Sequence, residues 1–289
     1  MVALAELSGV VFATDGVVTK SASLHAAAWK RTFDAFLRER SRRHLELFHP
    51  FDLTLDYLCY VNGRSHGDGI RSFLGSRGIT LPEEPPGDAP HAASVTGLAD
   101  RKERYFLEQL RRYGVAQFPF TMRLVHQLRR HGTAVAAVSP NRDCTAELRA
   151  AGVDDLFDTA VDHALDTAHL GLPAPGLFRE AARRMGTDPD HCTVIESTSA
   201  GVEAARRGGF AFVIGVERTG RTDGLYQHGA DIVVTDLAEL DGLAELDREI
   251  PSPAVHAPPP GDRHSPIPGS RSLQRSRAES PRAKTAADP

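Results

Sequence analysis

From residue 118 to residue 246, short apolar runs alternate with segments of helix length. "TAVAAVS" (133–139), "CTVIE" (192–196), "AFVIGV" (211–216) and "ADIVVTD" (230–236) are almost continuously apolar, the pattern of strands covered on both faces. Between them Met122, Val125 and Leu128, then Leu148 and Leu156, then Phe178, Ala181, Ala182 and Met185 fall on helix faces, as an amphipathic helix requires. Gly132, Gly152, Gly186 and Gly208 stand where these helices should end, a place where glycine is favoured. One further apolar run opens "VVFATDGVVT" (10–19). This alternation predicts an α/β core with a parallel sheet, and ligands of such sheets bind beyond the carboxyl ends of the strands.

Residues 21–115 read differently, because the apolar strands vanish. "SASLHAAAWKRTFDAFLRER" (21–40) begins with serines suited to N-capping and carries Leu24, Ala28, Phe33, Phe36 and Leu37 on its apolar side. "RKERYFLEQLRRYG" (101–114) predicts a second helix ending at glycine. A helical insertion therefore interrupts the α/β core just after its first strand, where it would face the same mouth as the turn at Asp15. The predicted division is 1–20 plus 116–245 as core, 21–115 as helical cap, and 246–289 as tail.

The tail follows from composition. From Pro251 onward the chain holds 9 prolines in 39 residues and almost no large apolar side chains, too little to offset the entropy of ordering, so disorder is expected. Its six Arg/Lys against three Asp/Glu suit an acidic protein partner.

The net charge of -4 supplies no basic field for nucleic acid. Three cysteines, Cys59, Cys144 and Cys192, include no CxxC pair, which fits a reducing compartment and gives no zinc motif. No apolar run nears the roughly 18 residues that cross a bilayer, so the expectation is a cytoplasmic protein without a membrane partner. His66, His163 and His169 lack the close spacing of a metal cluster.

The order "VVFATDGVVT", "SASLHAAAWKRTFDAFL", "AVAAVSPNRD", "LGLPAPGLFREAARRMG" and "VIESTSAGVEAARRGGFAFVIGV" resembles the haloacid dehalogenase superfamily, and the position of the helical insertion resembles its β-phosphoglucomutase-like branch. The resemblance implies a Rossmann-like parallel sheet with a cap domain. It also implies a phosphoryl-transfer site: an attacking aspartate at the end of the first strand, an acid/base aspartate two residues later, magnesium, a lysine and a phosphate-binding serine.

Matched residue by residue, several of these groups are replaced. The family's "DxDG" reads "ATDG", so Ala13 stands at the nucleophile position and Asp15 at the acid/base position. Ser139 keeps the second-strand serine, with Asn141 beside it as a candidate anion ligand. The lysine of "KPAPD" is Leu172 and its aspartate Gly176; of the acidic pair, Glu196 remains as a weak metal ligand while Ser197 replaces the other acid. His25 and Trp29 match the cap helix, and His66 stands where the cap arginine is expected. Ala13 has no atom that can attack phosphorus, so the expectation is a sugar-phosphate-binding or regulatory protein that has lost catalysis, with magnesium weak or absent. The alternatives are a residual magnesium-dependent phosphohydrolase or phosphomutase using Asp15, and an interaction scaffold acting through the tail.

Overall fold

A computed structural model describes residues 8–85, 93–162, 171–218, 220 and 222–240. The tail expected at 246–289, and His163 and His169, lie outside the described residues. Six strands form one parallel sheet: β1 (Gly9–Ala13), β2 (Ala134–Ser139), β3 (Thr159–Asp162), β4 (Cys192–Glu196), β5 (Phe212–Val216) and β6 (Ile232–Val234), in the order β3-β2-β1-β4-β5-β6. The four later strands read from the sequence are all present. The short edge strand β3 is an addition: only Val161 of its four residues is buried, so no apolar run marks it.

The strand order reverses at β1, whose neighbours are β2 on one side and β4 on the other. The chain passes from β1 to β2 on one side, and the crossover from β3 returns to β4 on the other, which opens a crevice beyond the carboxyl ends of β1 and β4. The register sets Ala13 beside Val138 and Phe12 beside Ile195, so the strand-end residues Ala13, Ser139 and Glu196 finish close together.

Alternation along β1 feeds two cores. Val10 and Phe12 point into one with Val125, Leu128 and Leu148; Val11 points into the other with Leu177, Phe178 and Ala181. The first face is covered by α4 (Pro119–Arg130) and α5 (Cys144–Ala151), the second by α6 (Gly176–Met185) and α7 (Ser199–Gly208). Gly152 and Gly186 cap their helices in left-handed conformation as expected, but α7 includes Gly208 and is capped by Gly209, at φ 79°. Phe210 lies against Gly208 too closely for a β-carbon there, so Gly208 provides close packing and its neighbour the turn.

Residues 22–113 contain α1 (Ala22–His44), a short wide helical turn (Tyr57–Val61), α2 (His66–Ser76) and α3 (Val95–Tyr113). They bury a core of their own around Trp29, Phe33, Phe51, Ile70, Phe73 and Leu98. Phe33 is its hub, with ring centroids 4.4 Å from Phe73 and 5.1 Å from Phe51. Both ends of the insertion meet at one place: Lys20 N–H donates to Ala116 O at 2.7 Å and Phe118 N–H to Val18 O at 3.0 Å. A last helix, α8 (Thr222–Gln227), follows β5. No helix among the described residues is long and apolar enough to cross a membrane.

Candidate active site

The chain turns sharply after β1. Thr19 N–H donates to Thr14 O at 2.9 Å and Gly16 N–H to Thr19 O at 3.0 Å. Gly16 has φ 78°, and a β-carbon there would collide with the side chain of Ser197, so glycine is required twice over. This turn and the ends of β2 and β4 enclose a cavity of about 50 Å³. Its lining joins Ala13, Asp15, Ser139, Asn141, Leu172 and Glu196 to His25 and Trp29 from α1. Asn62, Gly63 and Arg64, which the sequence did not single out, close another side.

Asp15 is partly buried and its Oδ1 accepts from Ser21 Oγ at 2.8 Å. Burial pushes its carboxyl above the ordinary range, while the neighbouring His25 pulls it down. Ser21 therefore does not cap α1 with its side chain; the expected cap is replaced by the bond to Asp15. Glu196 is 4% exposed, accepts from the Thr198 amide and has its pKa raised to about 7, chiefly by burial. A β-carbon on Gly201 would run into the Glu196 carboxyl, so glycine opens the space that this side chain fills. Ser197 Oγ donates to the backbone oxygen of Asp15 at 3.2 Å and is absent from the cavity lining.

His66 does not line this cavity. It borders a larger pocket of about 720 Å³ between α2, α3 and the loop at Asn141, where its amide donates to Asn141 Oδ1 at 3.1 Å. The ring meets Lys102 instead: Lys102 Nζ lies 2.7 Å from His66 Nε2 and 2.8 Å from His25 Nδ1. Lys102 is fully buried on α3. An ammonium only donates, so His25 Nδ1 accepts and the ring proton sits on Nε2, aimed at Glu147 Oε1 3.0 Å away. Burial, followed by the charge of Lys102, lowers the His25 pKa to about 4, keeping the ring neutral at neutral pH.

Glu147 and Asp143, both on the α5 side and fully buried, complete a polar cluster that sequence spacing did not expose. Thr19 Oγ1 donates to Glu147 Oε2 at 2.6 Å, and Ser139 Oγ to Asp143 Oδ1 at 2.6 Å. His25 thus groups with Asp143 and Glu147, and His66 with Glu103 and Asp143. These groups form across α1, α2, α3 and the start of α5, so a search for nearby histidines in the sequence could not find them. Lys102 did leave a signal: Val95, Leu98, Lys102, Phe106 and Leu110 form one buried stripe of α3, with a cation in an otherwise apolar seam.

Haloacid dehalogenase-like hydrolase is the family description that matches, over residues 7–209. A β-phosphoglucomutase from Mycobacterium bovis is 43% identical over 235 residues, covering 80% of this chain and 90% of that protein. The chain belongs to the haloacid dehalogenase superfamily, in its β-phosphoglucomutase-like branch. The fold agrees: a β-phosphoglucomutase structure from Clostridium difficile superposes with a TM-score of 0.64 at 19% identity, over 83% of this chain and 96% of that one. A haloacid dehalogenase family hydrolase from Deinococcus radiodurans, with bound phosphate and sodium, gives a TM-score of 0.57 at 26% identity, over 86% of this chain and 100% of that one.

Proposed function

We propose that this protein binds a phosphorylated sugar in the cavity at the ends of β1, β2 and β4, and has lost phosphoryl-transfer catalysis. Ala13 carries the proposal. It lines the cavity at the end of β1, where the superfamily's chemistry needs a carboxylate that attacks phosphorus, and its methyl group cannot form the covalent intermediate. The M. bovis β-phosphoglucomutase and the phosphate in the D. radiodurans hydrolase support a phosphate ester as ligand. Ser139, Asn141 and Arg64 supply polar and cationic wall to receive it, and His25, Trp29, Asn62 and Gly63 of the helical insertion close it.

Magnesium does not fit the strand ends as they stand. It favours octahedral oxygen coordination with charged carboxylates, whereas Ala13 offers no donor, the Ser197 hydroxyl faces a backbone oxygen, and the Glu196 carboxylate is taken up by the Thr198 amide. Leu172 adds an apolar wall where the family lysine is expected.

Asp15 favours a second reading. Burial raises its carboxyl pKa, the direction that suits a general acid, and residual hydrolysis through it would follow. One experiment separates the two: sugar phosphates are added to the full chain, and thermal shift and phosphate release are both recorded. Stabilisation without turnover is the expected result, since a ligand of the folded state raises the melting temperature by mass action. Turnover that disappears in Asp15→Asn would overturn the loss of catalysis. Absence of any stabilisation would overturn binding. The triple variant Ala13→Asp, Leu172→Lys, Ser197→Asp then asks whether the remaining wall still supports the chemistry.

A further inference from the structure

Asp143 Oδ2 is buried and has no hydrogen-bond partner. Leaving a buried carboxylate oxygen unpaired is costly. The oxygen faces His25 Nε2 at 4.0 Å, and the same nitrogen lies 3.0 Å from Glu147 Oε1. One ligand atom from each of His25, Asp143 and Glu147 lies within 4.8 Å of the other two. Lys102 Nζ is 3.7 Å from the oxygen, outside hydrogen-bond range, with its donors directed at two imidazoles.

We infer that His25 Nε2, Asp143 Oδ2 and Glu147 Oε1 form a site for a divalent transition-metal ion of the zinc or manganese type, set behind the strand ends. Each carboxylate is aimed by its other oxygen: Thr19 Oγ1 holds Glu147 Oε2, and Ser139 Oγ holds Asp143 Oδ1. Such outer contacts orient metal ligands elsewhere in proteins. Two bonds of about 2.1 Å meeting at roughly 90 to 140° span about 3.0 to 3.9 Å, close to the observed spacings from His25. A donor set of one imidazole and two carboxylates suits zinc or manganese better than magnesium, which seeks oxygen alone. Because the ring carries its proton on Nε2, metal binding there sends that proton to solvent while Nδ1 takes one from Lys102 Nζ; the imidazole stays neutral, the lysine becomes an amine, and one proton is released net. The site uses neither Ala13 nor Glu196, and it stands or falls independently of phosphate-ester binding.

The test uses the full chain stripped by chelator and titrated with Mn²⁺ or Zn²⁺. One saturable ion per chain is expected, and pulsed electron paramagnetic resonance of the Mn²⁺ form should show coupling to a single imidazole nitrogen. Glu147→Gln and Asp143→Asn should each weaken binding at least about tenfold, with Glu196→Gln unaltered. The resonance measurement needs no substitution, so it decides the matter even if a variant fails to fold. No saturable binding, binding without nitrogen coupling, or binding lost in Glu196→Gln and kept in Glu147→Gln would each overturn the site.

Discussion

Lys102 Nζ lies 2.8 Å from His25 Nδ1 inside the protein, with the lysine fully buried and His25 6% exposed. The pair joins α3 to α1 and continues through Glu147 to Thr19 in the turn after β1. A single ammonium thus balances carboxylates that would otherwise be buried without a counter-ion. Lys102→Met keeps an unbranched side chain, one atom shorter, and removes its charge. Denaturant melts of that variant should show a loss of roughly 3–5 kcal/mol, the range for breaking a buried pair by removing one partner.

His25 makes stability depend on acid. Its pKa is lowered to about 4 in the fold against about 6.5 in an unfolded chain, so between those values the unfolded state binds the extra proton. Stability should therefore fall as pH drops from about 6.5 to 4, by up to the order of 3 kcal/mol. His25→Gln should flatten that part of the profile when midpoints are compared at matched denaturant.

Glu196 acts in the opposite sense. Its pKa is raised to about 7, so the folded state holds a proton that the unfolded chain releases near pH 4.5. Stability should decline as pH rises from about 4.5 to 7, and Glu196→Gln should remove that decline. An unchanged slope in Glu196→Gln would show that the carboxyl is ionised throughout.

Gly16→Ala should destabilise the turn by more than about 1 kcal/mol, because a side chain at this positive φ is strained and meets Ser197 as well. Ser197→Ala combined with Gly16→Ala should recover only part of the loss in thermal melts, since the backbone strain remains.

Phe33→Ala removes the hub of the helical core, a side chain with no exposure. The expected loss is about 3–5 kcal/mol. Near-ultraviolet circular dichroism of Trp29, whose ring stacks on Phe33 at 5.0 Å, should change with it.

The apolar signal made most of the sheet legible. Strands such as Cys192–Glu196 are buried at every position, so composition alone betrays them, and the motif order located Ala13, Asp15, Ser139 and Glu196 at one end of the sheet. Polar residues inside the protein were legible only in part. Glu147 shares a buried face of α5 with Cys144 and Leu148, and Lys102 shares one of α3, yet an acid or a lysine on a helix usually means solvent. Their meaning arises when three separate helices converge, and pairing across 77 positions, as between His25 and Lys102, leaves no local periodicity. Ser21 illustrates the same point in reverse: its local role as a cap lost to the carboxylate of Asp15.

The bond from Lys20 N–H to Ala116 O makes the sheet indifferent to what lies between them. Chain departs and returns at one spot, so the register of β1 against β2 does not depend on the intervening length, and closure entropy grows only slowly with that length. The junction is a grafting point. Evolution could enlarge, shrink or exchange the inserted helices there, altering what the cavity admits while the strand ends keep their places.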